Sequence, residues 1–394
     1  MVAVCLLPAG VITGCAPPDA LDASLSEITH PYRFDIAGWE IGALAGEAVL
    51  AVFGHTEEDG TERVKEYFTN VTRLKEVAGE IVAVEAGSRP GDADSLREEY
   101  DELEIANARL ALTVERTLES QIREALTEQG IINPFGGEGA AFPPLNFHLA
   151  APPHLLVVSP RDSIESLREV TLLPQLTVAE IEVIEAAVEE LGYSALVTDL
   201  GGIATYPSFV TSDADLRFTI DAAAEEWLHQ YLAFTPLGFG YLLDVTGLRR
   251  DYDIATMNET AVGIASKEIG GLVYEKYYAS GEEEPGEPAG GFDFNAAMRQ
   301  TRLAVDAYLA AGEVEAAEAY MEVRRRYVNA NGYYIRRLNQ AYFAFHGTYA
   351  DSPTSVSPIG EEFRELREQS ASLQAFLDTA AAMTSRDALA EAVR

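Results

Sequence analysis

Two long stretches in which an apolar residue returns every third or fourth position constrain this chain more than any other feature. In the first, Val64, Tyr67, Val71, Leu74, Val77, Ile81 and Val84 line up. In the second, Leu96, Tyr100, Leu103, Leu110, Val114, Leu118, Ile122 and Ala125 keep a similar rhythm. A period near 3.6 puts such residues on one face of an α-helix. Gly87-Ser88-Arg89-Pro90-Gly91-Asp92 lies between them, and Gly with Pro stops a helix. The pair reads as an antiparallel helical hairpin whose role is packing. It belongs to an N-terminal helical region spanning 31–135. That region starts with an amphipathic element carrying Tyr32, Phe34, Trp39, Ile41, Leu44, Val49, Leu50, Val52 and Phe53, expected to dock on the body.

Gly130 to Pro144 is rich in Gly and Pro and marks a boundary, so a second domain is taken as 140–394. Leu155-Leu156-Val157-Val158 reads as a buried strand. Thr177 and Glu180 form a capping box for a helix through Leu191, stopped by Gly192. Ser194 to Thr198 reads as a second strand. Gly201-Gly202 interrupts, and Ile203 to Tyr206 reads as a third, ended by Pro207. From Asp213 the pattern is helical. The uncharged run Tyr231 to Leu243 reads as a buried helix with a break, and Glu282 to Pro288 as a solvated acidic loop. The expected fold class is α+β, mainly helical, with a small sheet.

With 28 basic and 64 acidic residues among 394, the formal net charge is −36. Such a surface repels phosphate backbones, so nucleic acid is not an expected partner. The two cysteines, Cys5 and Cys15, both lie in the first fifteen residues. The folded body therefore has neither a disulfide framework nor a Cys-based zinc site. Residues 1–14 are apolar or small, a run too short to span a bilayer. The run ends in Ile12-Thr13-Gly14-Cys15, which resembles a bacterial lipobox, although no Lys or Arg precedes it. The resemblance implies a signal over 1–15, a lipid anchor at Cys15, a tether over 16–30, and a place on the extracytoplasmic face of the cell membrane.

The chemistry-bearing cluster is Glu225-Glu226-Trp227-Leu228-His229, inside an otherwise apolar helical segment. Residues 225 and 229 are four apart and share a face, and Glu226 is three before His229. Two acids and an imidazole there are costly to bury unless paired or bound to a metal. Thirty residues after His229, Asn258-Glu259-Thr260 is expected to open an apolar helix containing Gly263, a position for close approach by a neighbouring helix. The chain has six histidines and no pair of them at helical spacing. There is no Gly-x-Ser-x-Gly and no phosphate-loop spacing, so a serine-hydrolase elbow and nucleotide binding are not supported.

On these residues the sequence resembles the gluzincin metallopeptidases, with His-Glu-x-x-His on one helix and Asn-Glu on a following one. The resemblance is closer to a group of predicted bacterial aminopeptidases. Their second motif, Asn-Glu-Ser/Thr followed by Glu-x-Gly, corresponds here to Asn258-Glu259-Thr260 and Glu268-Ile269-Gly270. Their C-terminal Asn-Asn-Ala followed by Thr-Tyr corresponds to Asn339-Gln340-Ala341 and Thr348-Tyr349. The departure is Glu225, which stands where the family has its first histidine.

The resemblance implies a zincin-like domain and a membrane-tethered, aminopeptidase-like metallopeptidase acting on a peptide or protein. Carried over by position, Glu225, His229 and Glu259 would be metal ligands and Glu226 the general base. Tyr349 would be the oxyanion donor, with His346 one turn earlier as the second candidate. Zinc is the first expectation. The extra carboxylate makes manganese or iron more plausible than in a two-histidine site. The alternative is a catalytically inactive lipoprotein of the same fold, without metal, serving as a binding or assembly module. A third reading is a di-iron bundle built on Glu226-x-x-His229, whose only counterpart in the chain is Glu27-x-x-His30.

Overall fold

A computed structural model describes residues 20–35, 59–135, 141–279 and 291–394. Helix α1 (Ala20–Thr29) comes first, followed by the hairpin helices α2 (Gly60–Glu85) and α3 (Ala93–Glu128). Asp92 caps α3 by accepting the Asp94 N–H at 3.1 Å. Between Leu103 and Leu110 the apolar stripe carries the buried Asn107. Asn70 donates to its Oδ1 at 2.9 Å, and its Nδ2 reaches the Tyr67 carbonyl at 3.4 Å. A buried amide satisfied across the hairpin fixes the register of the two helices.

The sheet elements are β1 (Phe147–Leu149), β2 (His154–Ser159) and β3 (Arg168–Leu172), then β4 (Ser194–Thr198), β5 (Gly202–Ile203) and β6 (Ser208–Val210). One antiparallel sheet has the order β3-β2-β4. The other has the order β1-β6-β5, with β1 parallel to β6. Helix α4 (Val178–Glu190) precedes β4 and carries the expected Thr177/Glu180 capping box. The rest is helical: α5 (Leu216–Leu232), α6 (Pro236–Val245), α7 (Tyr252–Tyr277), α8 (Phe294–Ala310) and α9 (Val314–Ala330), then α10 (Gln340–Thr348), α11 (Pro358–Gln369), α12 (Leu373–Ala381) and α13 (Arg386–Ala392). The fold is mainly helical α+β.

Hairpin and body share one core. Val64, Tyr67, Leu118 and Ile122 pack in the same apolar cluster as Trp227, Met257 and Phe363. The break expected in the uncharged segment falls between α5 and α6, where Thr235 caps the new helix and Pro236 occupies its first turn. The third strand differs from expectation. β5 covers only Gly202–Ile203, and the chain then turns, with Thr205 Oγ1 donating to the Pro207 carbonyl at 2.7 Å. Pro207 has no N–H for a ladder, so pairing resumes only at Ser208.

Residues 20–29, within the stretch read as a tether, form α1. Leu25 is buried against Ile181 and Ile184, with Leu21 and Ile28 beside it. Their three- and four-residue spacing gives a short apolar face, and Arg168 Nε ties Asp22 to β3 at 2.6 Å. Of the expected docking element, Phe34 donates its N–H to the Thr171 carbonyl at 3.2 Å. Its part from Trp39 to Phe53, Cys15 with its lipobox, His55 and the acidic run 282–288 lie outside the described residues. Among the described residues no helix is long and apolar enough to cross a membrane.

The free side of β1 is capped by two carboxylates of α3. Glu119 accepts the Phe147 N–H at 3.2 Å and Glu115 the Leu149 N–H at 2.8 Å. Burial pushes Glu119 up to about 7, against the opposing pull of Arg116 and the Phe147 N–H. The native chain thus keeps a proton that the unfolded chain loses near 4.5. This group's contribution to stability therefore falls as pH rises from about 4.5 to about 7. Glu119→Gln keeps an acceptor for Phe147 without the buried charge. In urea denaturation it is expected to match the parent at pH 4 and to exceed it by about 2 kcal/mol at pH 8. An equal or lower stability at pH 8 would refute the account.

Candidate metal centre

Helix α5 is capped by Asp215, which accepts the Phe218 N–H at 2.8 Å. Its long buried surface brings it against α7. At the crossing, a Cβ on Gly270 would lie 1.7 Å from Asp221 Oδ1, so a larger residue would displace the Asp221 carboxylate. Helix α7 starts at Asp251, seven residues before Asn258, rather than at the Asn-Glu pair. Asp251 takes the cap by accepting the Ile254 N–H at 3.2 Å. Asn258 and Glu259 thereby sit inside the helix and face α5. Gly263 makes room not for a helix but for the Asp351 carboxylate, 3.2 Å from where its Cβ would be.

Glu225, His229 and Glu259 form a group that can hold a metal ion. One ligand atom from each lies within 4.8 Å of the others. His229 Nδ1 is 2.8 Å from Asn258 Oδ1, which draws the ring proton to that side and leaves Nε2 facing the cluster. Nε2 is 3.4 Å from Glu259 Oε2, and that oxygen is buried with no hydrogen-bond partner. A buried carboxylate oxygen facing an imidazole nitrogen is a donor set that a cation could complete by displacing the imidazole proton. Glu225 points into the same pocket and pairs with no arginine among the described residues.

Tyr241 was not legible as a site residue. It lies in the uncharged run, with no charge or spacing to single it out. Its hydroxyl donates to Glu259 Oε1 at 2.6 Å, and its ring stacks on His229 at 5.3 Å and 21°. One side chain thus orients two of the three candidate ligands.

Burial pushes Glu226 well above the usual carboxylate range. Burial, with help from the charge of Glu259, raises Glu225 to about 7. Burial alone would lower His229, but Glu259, Glu226 and Glu225 outweigh it and raise it to about 9. Burial would also raise Glu259, yet His229 and the Tyr241 hydroxyl hold it below its ordinary value. The pocket therefore gathers protons onto closely spaced acids, protons that a divalent cation would displace.

The surrounding cavity measures about 210 Å³. It is walled by β5 on one side and by Glu169, Tyr241 and Asp244 on another. A Cβ on Gly202 would lie 2.4 Å from Glu226 Oε1, so the glycine lets the carboxylate lie against the edge strand. Tyr349 lines this cavity too, and the charge of Glu259 with burial keeps its hydroxyl protonated far above the ordinary range. It follows the last residue of α10, and its ψ of 71° ends the helical geometry there.

His346 is not brought to the cluster. Its ring packs on Tyr342 at 4.2 Å and lines a different cavity on the other side of α10. Glu27 and His30 sit at the end of α1 and do not line the Glu225–His229–Glu259 cavity. His148 lies beside Glu115 and His154 beside Asp199, so neither supplies a further ligand. Glu169 of β3, held by Ser166 Oγ at 2.6 Å, is a further acid in the wall that no sequence signal marked. A comparison with protein-family models, curated proteins and solved structures finds no match for this chain.

Proposed function

We propose that this chain is a metal-dependent hydrolase of the metallopeptidase type, acting on a peptide or protein and similar in plan to the gluzincins. The observation that carries the reading is the convergence of Glu225, His229 and Glu259, from two helices, with Glu226 and Tyr349 in one cavity. A zincin-like arrangement is supported by a small sheet whose edge strand runs along that cavity just before the motif helix. Tethering at Cys15 on the extracytoplasmic face rests on the lipobox-like run.

Glu225, His229 Nε2 and Glu259 would hold the ion, with zinc the first candidate. Two carboxylates and one imidazole also suit manganese or iron. When bound, such an ion supplies Lewis-acid polarisation of a carbonyl and a more acidic water. Asn258 and Tyr241 keep the imidazole and the Glu259 carboxylate in place. Glu226, outside the ligand group, takes the proton from the attacking water and returns it to the leaving amine. Tyr349 offers a neutral O–H to the developing oxyanion. The open side of β5 offers backbone N–H and C=O groups to an extended peptide.

The test is metal content of the soluble chain, residues 16–394, beside a His229→Ala/Glu259→Ala variant. About one equivalent of zinc, manganese or iron, lost in the variant, is the expected result. One observation favours the alternative, an inactive binding module. His229 and Glu259 at 3.4 Å can balance each other as an ion pair without a cation. No metal in either protein after reconstitution would leave that alternative standing and remove the hydrolase.

A further inference from the structure

Helix α10 separates two cavities. Phe345, Thr348 and Tyr349 face the candidate metal centre. Tyr342, Phe343 and His346 face a second cavity of about 580 Å³, bounded by the first turns of α7 and α8 and by the loop after α10. That volume is in the range of small-molecule sites. Tyr252 and Phe294 add two more ring faces, and along one wall Ser352, Thr354, Ser355 and Ser357 bond one another and the loop backbone.

Two polar groups stand ready in it. The Tyr342 hydroxyl and the His346 imidazole, four residues apart on one helix face, have no hydrogen-bond partner among the described residues. Burial lowers His346 to about 4, so at neutral pH it is an uncharged ring with one donor and one acceptor. The cavity's arginine is already committed. Arg302 Nε holds Asp306 at 2.9 and 3.0 Å, and its Nη1 reaches the Phe343 carbonyl at 3.3 Å. Asp253 is then the one carboxylate in the wall, and it is exposed.

Phe294, in the cavity wall, begins a row of ring contacts. Phe294 stacks on Tyr333 at 4.7 Å and 23°, Tyr333 meets Phe292 at 5.7 Å, and Phe292 meets Tyr327 at 5.4 Å. Tyr333 and Tyr327 are 39% and 47% exposed.

We propose that this second cavity binds a neutral saccharide, one ring inside and further rings along the Phe294–Tyr333 row. A sugar ring offers C–H faces to aromatic faces and hydroxyls to neutral donors and acceptors. An anionic ligand would find a single cation in the wall, Arg302, whose charge is already paired with Asp306. A purely apolar ligand would leave the Tyr342 hydroxyl and the His346 imidazole desolvated and unpaired. A peptide strand would find no sheet edge, because the wall is built from helices and a turn-rich loop. The reading does not depend on the metal centre.

The test is calorimetric titration of the chain with maltotriose, cellotriose and triacetylchitotriose. Saturable binding of at least one is expected, weakened about tenfold in Tyr342→Phe/His346→Leu. Tyr333→Ala, at an exposed rim position, is expected to weaken the same trisaccharide severalfold with the fold intact by circular dichroism. If the double variant does not fold, the rim variant alone decides. No binding of any of the three at about 10 mM, or equal binding in the variants, would overturn the proposal.

Discussion

Glu226→Gln is expected to lower peptide hydrolysis by about a thousandfold while leaving the bound metal in place. The substitution keeps the shape of the side chain and the contact with Gly202, and removes only the ability to take up a proton. A thousandfold corresponds to about 4 kcal/mol of transition-state stabilisation, a common size for a positioned acid–base group. The measurement is kcat on a peptide substrate alongside metal stoichiometry. Loss of metal together with activity would make Glu226 a ligand. Unchanged kcat would remove it from the chemistry. The expectation is specific because Glu226 lines the cavity without belonging to the three-residue ligand group.

The largest expected effect on stability is at Glu185. This carboxylate on α4 is fully buried and accepts the Val197 N–H at 2.7 Å. Arg336 Nη1 meets its Oε2 at 2.7 Å and Arg337 Nε the same oxygen at 2.8 Å. Glu185→Ala leaves two arginines and a strand N–H without their acceptor. The arginine side chains keep 34% and 26% exposure, so water recovers part of the loss. The expected cost in chemical denaturation is about 3 kcal/mol, the low end for breaking a buried ion pair. Glu185→Gln retains an acceptor for Val197 and should cost less than half of that. Equal costs would mean that the charge, and not the acceptor for Val197, carries the whole effect, and no cost in either variant would refute the role. The same network bears on the site. Asn339, two residues beyond Arg337, caps α10 and reaches the Ala195 carbonyl at 2.7 Å, and α10 delivers Tyr349.

Local features of the sequence were legible where a short-range rule governs them. The Thr177/Glu180 box starts α4 because the two side chains need only their own first turn. The hairpin stripes are helical for the same kind of reason. The strands were less legible. β1 is three residues long, and its outer N–H groups are satisfied by Glu115 and Glu119 from a distant helix, not by a local pattern. β3 alternates too weakly to stand out, and its burial is completed by α1. Leu21, Leu25 and Ile28 in α1 look like scattered apolar residues in an acidic tail until α4 supplies a surface for them.

The sequence by itself determined what depends on the helical period: Glu225 and His229 on one face, Glu226 beside them, and an apolar helix around Glu259. Tertiary structure alone decided which groups meet. Packing of α5 against α7, with Gly270 beside Asp221, brings Glu259 within 3.4 Å of His229. The packing of α10 between two cavities puts Tyr349 in one and His346 in the other. Tyr241 and Glu169 join from an uncharged run and a short strand. Periodicity reports only on neighbours within a turn or two of the chain. A site drawn from β3, β5, α5, α6, α7 and α10 is assembled by packing between elements, which no local pattern encodes.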